Sequence, residues 1–221
     1  MRKGGETVTV DRPIGNASSK REAEKIRRLV ERALDNVGDP EMPAVSLAEL
    51  GMVHEIRIVE ADRNFRVEID LLPTFVGCPA LELMRREVER AVRPIPGVVQ
   101  VDVRFVSHSR WTTDRIRPSA RPKLEAYGIA PPPCLTVRSP APAPDEAPPP
   151  NGAPAPAEAT VTVGASVEWN PRCPYCGSED TILENPFGPT SCRSIFYCRS
   201  CSNPFEAMKP LGVPVVLQRR P

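Results

Sequence analysis

From Ala23 onward the apolar positions Ile26, Leu29, Val30, Ala33, Leu34 and Val37 return every three or four residues, the period of a helix with one buried face. Ser19 and Glu22 stand just ahead in the S-x-x-E spacing of a capping box, and Gly38 with Pro40 supplies a stop. The period then changes to two. Met52, His54, Ile56 and Ile58 share one face of a first run, and Phe65, Val67, Ile69 and Leu71 line a second, opposite Arg66, Glu68 and Asp70. Val99, Val101, Val103 and Phe105 line a third against Gln100, Asp102 and Arg104, so all three read as strands with one wet face. Between the second and third runs a helix is expected from Pro79, with Leu81, Met84, Val88, Ala91 and Val92 inward and Pro94 and Pro96 ending it. The order α-β-β-α-β, with the first two strands joined as a hairpin through residues 60–64, predicts a two-layer α+β domain in which helices cover one face of a small mixed sheet. The pattern leaves open which strand lies centrally.

Beyond this the pattern weakens into a polar stretch over residues 107–130, with a short helical segment around Ala120 to Tyr127 closing at Gly128. Composition then changes the picture: 28 of the 221 residues are proline, more than twice the usual ~5%, and 11 of them fall within residues 131–156. The expected organisation is a tail over 1–17, the α+β domain over 18–130, a Pro/Ala-rich spacer over 131–165, a cysteine-rich unit over 166–211 and a tail over 212–221. Lys and Arg number 29 against 28 Asp and Glu, with no long block of one sign, so charge does not call for nucleic acid or an acidic membrane surface. No apolar run approaches the ~20 residues of a membrane span, and the first residues lack the apolar stretch of a secretory signal. The chain therefore reads as cytoplasmic, where its seven cysteines are expected as thiols or metal ligands rather than disulfides.

Cys173-Pro174-Tyr175-Cys176 and Cys198-Arg199-Ser200-Cys201 form two C-x-x-C pairs with 21 residues between them. This is the knuckle spacing of a zinc ribbon, in which two short loops each present two thiolates to one closed, structural tetrahedral site. A unit so short has little core of its own, and metal binding supplies its stability. Cys192, six residues before Cys198, has two readings: a small apolar residue in the ribbon hairpin, or a spare thiol able to exchange metal. Cys78, in Thr74-Phe75-Val76-Gly77-Cys78-Pro79, is expected at or beside a helix N-cap, where the helix dipole favours thiolate. It is either a reactive or metal-binding thiol or a capping neighbour, and Asp39 and Glu41 join it only if the fold brings their loops together. His54 is expected as an interior histidine and His108 as a solvated one.

Several segments together carry a family resemblance. Asp39-Pro40-Glu41-Met42-Pro43, Leu50-Gly51-Met52-Val53 and the loop Thr74 to Pro79 resemble the small domain of cytosolic iron-sulfur assembly factors. With Trp111-Thr112-Thr113-Asp114, Leu124 to Pro132, the four ribbon cysteines and Asn203-Pro204-Phe205-Glu206, the whole is similar to the D subunit encoded with the phenylacetyl-CoA ring 1,2-epoxidase of bacterial phenylacetate degradation. The resemblance covers about residues 20–133 and 170–211; the long proline-rich spacer departs from it.

The resemblance implies a non-catalytic accessory subunit that helps to mature or insert iron or iron-sulfur centres, with the oxygenase or reductase subunits of the epoxidase as partners. It assigns zinc to Cys173, Cys176, Cys198 and Cys201, and transient iron or cluster handling to Cys78 with the acidic loop of Asp39 and Glu41. Rival readings are a general iron-sulfur carrier, a zinc-ribbon module that binds nucleic acid, and an enzyme using Cys78 as nucleophile. Against nucleic acid, Arg172, Arg193, Arg199 and Lys209 are interspersed with Glu168, Glu179, Asp180, Glu184 and Glu206, and the ribbon's aromatics are needed for its own core. Against the enzyme, the sequence shows no base or oxyanion donors to serve Cys78.

Overall fold

A computed structural model describes residues 17–133 and 169–210, with the backbone of 167–168 and 215–216. Most of the expected tails and of the 131–165 spacer lie outside the described residues. The first helix, α1 (Ala17–Leu34), buries Ala23, Ile26, Val30 and Leu34, so Ser19 and Glu22 lie inside it rather than capping it. A hairpin of β1 (Gly38–Asp39) and β2 (Met42–Ser46) follows. Its turn is fixed by Asp39, whose Oδ1 accepts hydrogen bonds from the backbone N–H of Glu41 at 2.8 Å and of Met42 at 3.0 Å.

A reciprocal capping box forms at Ser46 and Glu49 instead: the Ser46 N–H donates to Glu49 Oε2 at 3.1 Å and the Glu49 N–H to Ser46 Oγ at 3.0 Å. Glu49 also accepts from Ser119 Oγ at 3.0 Å and pairs with Lys123 Nζ at 2.8 Å. Burial pushes its carboxyl up, but Lys123, the Ser46 N–H and Ser119 outweigh this and hold it below the ordinary glutamate value.

The main sheet consists of β3 (Val53–Ala61), β4 (Asn64–Leu71) and, after α2 (Leu81–Val92), β5 (Val98–Phe105). Strand β4 is central, antiparallel to β3 through the expected hairpin and parallel to β5 through the α2 crossover. Ile56, Ile58, Phe65, Val67, Ile69, Leu71 and Val103 pack beneath both helices, with Met84, Val88 and Val92 of α2, which is the two-layer α+β arrangement. Strict alternation fails at two points, each a bulge. His54 is the extra residue between the pairs Val53–Leu71 and Glu55–Asp70, and Val99 the extra residue between Phe65–Val98 and Arg66–Gln100. One added residue turns the neighbouring side chains over, so Val99 is exposed rather than inward.

On the polar face Asp70 is buried beneath Arg57 and Arg104. Arg57 donates from Nη1 at 2.9 Å and Nη2 at 3.1 Å, and Arg104 from Nε at 2.6 Å. After β5 the chain returns across the 50–53 loop, where Trp111 Nε1 donates to the Leu50 carbonyl at 2.8 Å and Arg115 to those of Gly51 and Val53. Gly51 has φ +69°, and a Cβ there would lie 2.2 Å from the Arg115 carbonyl oxygen, so no other residue fits. A 3-10 turn (Thr113–Arg115) and α3 (Ala120–Ala126) lead to β6 (Ile129–Ala130).

The cysteine-rich part holds β7 (Val167–Glu168), β8 (Thr181–Asn185), β9 (Arg193–Cys198) and β10 (Asn203–Met208), with β11 (Val215–Val216) parallel to β7. Strands β8, β9 and β10 form an antiparallel meander, and β6 adds to it in parallel, Glu206 facing Ile129 and Ala207 facing Ala130. Met208 enters the core of the first domain, while Ala130 enters the ribbon core of Trp169, Cys173, Phe196, Cys198, Phe205 and Ala207. The described parts of the two units are thus packed together.

Arg57 first, then Arg104, hold the Asp70 carboxyl down to about 2 from 3.8. A group that ionises more readily when folded contributes fully above its unfolded pKa and loses that contribution as pH falls through the folded one. Stability is therefore expected to drop by about 2 kcal/mol between roughly pH 4 and pH 2. Asp70→Asn should lose a similar amount at pH 7 and flatten this acid limb, as chemical denaturation across pH would show.

Candidate functional site

Two knuckles build the four-cysteine group. In the first, the Gly177 N–H donates to the Cys173 carbonyl and the Cys173 N–H to that of Ser178, both at 2.9 Å, with Gly177 at φ +73°. The second turns at Ser202, φ +57°, and is tied to the first strand when the Arg199 N–H donates to the Asp180 carbonyl at 3.0 Å. Ser178 and Ser200 hydroxyls meet at 2.7 Å between the knuckles. The sulfurs of Cys173, Cys176, Cys198 and Cys201 all lie within 4.8 Å of one another, with Cys173–Cys201 at 3.7 Å and Cys176–Cys198 at 3.6 Å. Tetrahedral zinc with Zn–S bonds of ~2.3 Å needs sulfurs about 3.8 Å apart, so the donor set fits. Burial pushes the Cys173 thiol up, whereas the Asn203 amide and then the adjoining thiols draw Cys201 down to about 6. Four facing thiols do not all ionise alone; a divalent cation supplies the compensation.

The Cys78 loop differs from expectation. Helix α2 begins at Leu81 with Ala80 as N-cap, placing Cys78 two residues outside the cap, on a turn closed by its own N–H to the Phe75 carbonyl at 3.1 Å. The thiol is half-buried against the main core. Burial pushes it up rather than down, opposed by the Ala80 N–H and reinforced by Cys192, Asp39 and Glu41. Desolvation outweighs the dipole of a helix that starts further on.

After burial and Cys192, the carboxylates of Asp39 and Glu41 also push the Cys78 thiol up. Asp39 is 5% exposed, its carboxyl raised by burial against the N–H groups of Glu41 and Met42, and Glu41 is half-exposed beside it. In the ribbon, the Cys192 sulfur lies 3.3 Å from Thr190 Oγ1. Arg193, which the sequence pattern did not single out, is buried there and bridges Glu206 at 2.5 Å and Glu41 at 3.5 Å. No local signal marks it, because its partner Glu41 is 152 residues away. Among the described residues only the ribbon tetrad brings three or more Cys, His, Asp or Glu donor atoms mutually within 4.8 Å, so the Cys78 group is the looser of the two. His54 and His108 stand apart from both and pack on each other, centroids 5.5 Å apart.

This geometry defines a small α+β domain to which a four-cysteine zinc ribbon is docked. Residues 27–103 match the family described as iron-sulfur cluster assembly protein, and residues 157–209 match the PaaD zinc beta ribbon domain. Over 181 residues the chain is 31% identical to the Escherichia coli K12 protein provisionally named as the D component of 1,2-phenylacetyl-CoA epoxidase, covering 80% of this chain and 88% of that one. The chain belongs to that epoxidase D-component family. It is also 30% identical over 93 residues to the Fe-S protein maturation auxiliary factor YitW of Bacillus subtilis, covering 42% of this chain and 87% of the other. A solved domain of unknown function, DUF59, from Bacillus anthracis aligns with a TM-score of 0.41 at 24% identity, over 46% of this chain and 92% of that one. Among the described residues no helix is long and apolar enough to cross a membrane.

Elemental analysis is expected to return one zinc per chain. Replacing Cys198 and Cys201 together by Ser should remove more than half of it and lower the ribbon's protection from proteolysis, since two ligands do not hold a closed site.

Proposed function

We propose that this protein is a cytoplasmic, non-catalytic accessory subunit of a phenylacetyl-CoA ring 1,2-epoxidase, and that it assists maturation or insertion of the iron or iron-sulfur centres of the oxygenase or reductase subunits. The observations that carry this reading are the match of residues 27–103 to the iron-sulfur cluster assembly family and the 31% identity to the epoxidase D component, with Cys78, Asp39 and Glu41 as the candidate iron- or cluster-handling groups. A thiol with carboxylates suits transient iron: sulfur and oxygen donors together hold it without the closed shell that would keep it. The loop Phe75-Val76 beside Cys78 is exposed, at 42% and 80%, which keeps the thiol at a surface another subunit can approach.

The ribbon has a different part. Its zinc, bound by Cys173, Cys176, Cys198 and Cys201, is fully coordinated by protein and structural. It holds the strands that dock on the first domain. The similarity to a component of a multicomponent epoxidase and to an iron-sulfur maturation factor supports the division between cargo-handling domain and structural ribbon.

Cells carrying wild-type protein, Cys78→Ala or no accessory protein provide the test, with iron content and turnover measured on the purified oxygenase and reductase. Several-fold lower iron and turnover are expected for the last two strains, with the polypeptides still present. Equal iron and equal turnover in all three would reject the maturation role.

A further inference from the structure

Strand β5 is an outer strand of the main sheet: β4 pairs with one of its edges, and among the described residues no strand pairs with the other. The hydrogen-bond phase fixes which residues face outward. The Val106 N–H donates to the Leu71 carbonyl at 2.9 Å, so Arg104 and Asp102 also direct their backbone groups at β4, and Val101, Val103 and Phe105 direct theirs off the sheet. Outer strands are usually blunted by lysine, proline, inward charge or a bulge. Here the bulge at Val99 blunts only the start of the strand, and the stretch 101–105 carries one acid and one base among three apolar residues. Val101 and Phe105 are half-buried at the margin of the core. The opposite outer strand, β3, is better guarded, with His54 in a bulge and Glu55, Arg57 and Glu60 along it.

We propose that this edge pairs with the same edge of a second copy of the chain, antiparallel about a two-fold axis at Val103, giving one sheet with three strands from each copy. Charge selects the register. An axis at Val103 sets Val101 opposite Phe105 of the second copy in hydrogen-bonded pairs, and Asp102 opposite its Arg104, twice by symmetry. An axis at Asp102 would oppose two aspartates, and one at Arg104 two arginines, with Cα atoms about 4.5 Å apart. Both charges are available. Asp102 is exposed and stands beside Glu68 of β4, a like charge, while Gln100 Nε2 donates to it at 2.8 Å. Arg104 donates from Nε to Asp70 at 2.6 Å, yet its side chain is 62% exposed. With five N–H donors, its guanidinium serves Asp70 and the second copy's Asp102 together. In the same pairing Val101 and Phe105 are covered by Phe105 and Val101 of the second copy, so the apolar layer beneath the helices continues across the axis.

Sedimentation of the full-length protein with zinc in its ribbon, over a range of concentrations, is expected to show a monomer–dimer equilibrium. Asp102→Arg and Arg104→Glu should each keep the wild-type circular dichroism and weaken the dimer at least about tenfold, because each makes both cross-axis pairs repulsive. Mixed in equal amounts the two should pair again, since one then offers cations where the other offers anions. Amide exchange of the wild-type protein needs no variant to fold: the N–H groups of Val101, Val103 and Phe105 should gain protection as concentration rises, while those of Asp102 and Arg104 are protected throughout. A monomer at every concentration would overturn the proposal, as would a dimer that neither charge substitution weakens. Edge amides already protected in the dilute monomer would overturn it too, by showing that another segment of the same chain covers β5.

Discussion

The pairing of two residues, Ile129 and Ala130, with strand β10 sets the relation between the halves of this molecule. A sheet edge has unpaired N–H and C=O groups that some partner must meet, and here the ribbon's edge is met by the end of the first domain. The pairing is reinforced on both sides: Ile129 and Met208 lie in the domain core and Ala130 in the ribbon core. Burying side chains such as Ile129 and Met208 contributes about 1.5–3 kcal/mol each, so the ribbon is seated by apolar contact as well as by ladder hydrogen bonds.

The four-cysteine site lies at one end of this arrangement. Structural zinc in small ribbons contributes an apparent ~10–16 kcal/mol to folding, more than the small core of Trp169, Phe196 and Phe205 can supply from its own area. Strands β9 and β10 pair from Asn203–Cys198 to Met208–Arg193, and that register carries Arg193 to Glu41 of the acidic loop.

The acidic loop shows what the rest of the domain does to hold a site. Asp39 closes the β1–β2 turn through two N–H groups, and Glu49 knots the following turn to α3 through Ser119 and Lys123. Gly51 lets the returning segment approach within a distance that no side chain would allow. Loop and helix are fixed from both ends, so the carboxylates at residues 39 and 41 meet the seam in a defined position.

Local periodicity made much of the fold legible: the helix from Ala23 to Leu34, the hairpin closed by Asp62 and Arg63 at positive φ, the two-layer order and the four ribbon cysteines, because each depends on spacing within a short stretch. Where the local pattern misled, a longer-range effect intervened. The S-x-x-E at Ser19 lies within a helix while the one at Ser46 forms the box, since the second is held by residues 119 and 123; His54 and Val99 left the alternation at bulges set by pairing with β4. The Cys78 thiol is pushed up by burial, which outweighs the lowering by the Ala80 N–H at the helix N-cap. The sequence by itself determined the elements and the zinc-binding donors, because those are encoded by neighbours along the chain. Only the tertiary structure decided which strand is central, that β6 joins the ribbon, and that Arg193 of the ribbon meets Glu41 of the acidic loop, because a parallel pairing between residues 129–130 and 206–207 carries no local signature and depends on two cores packing together.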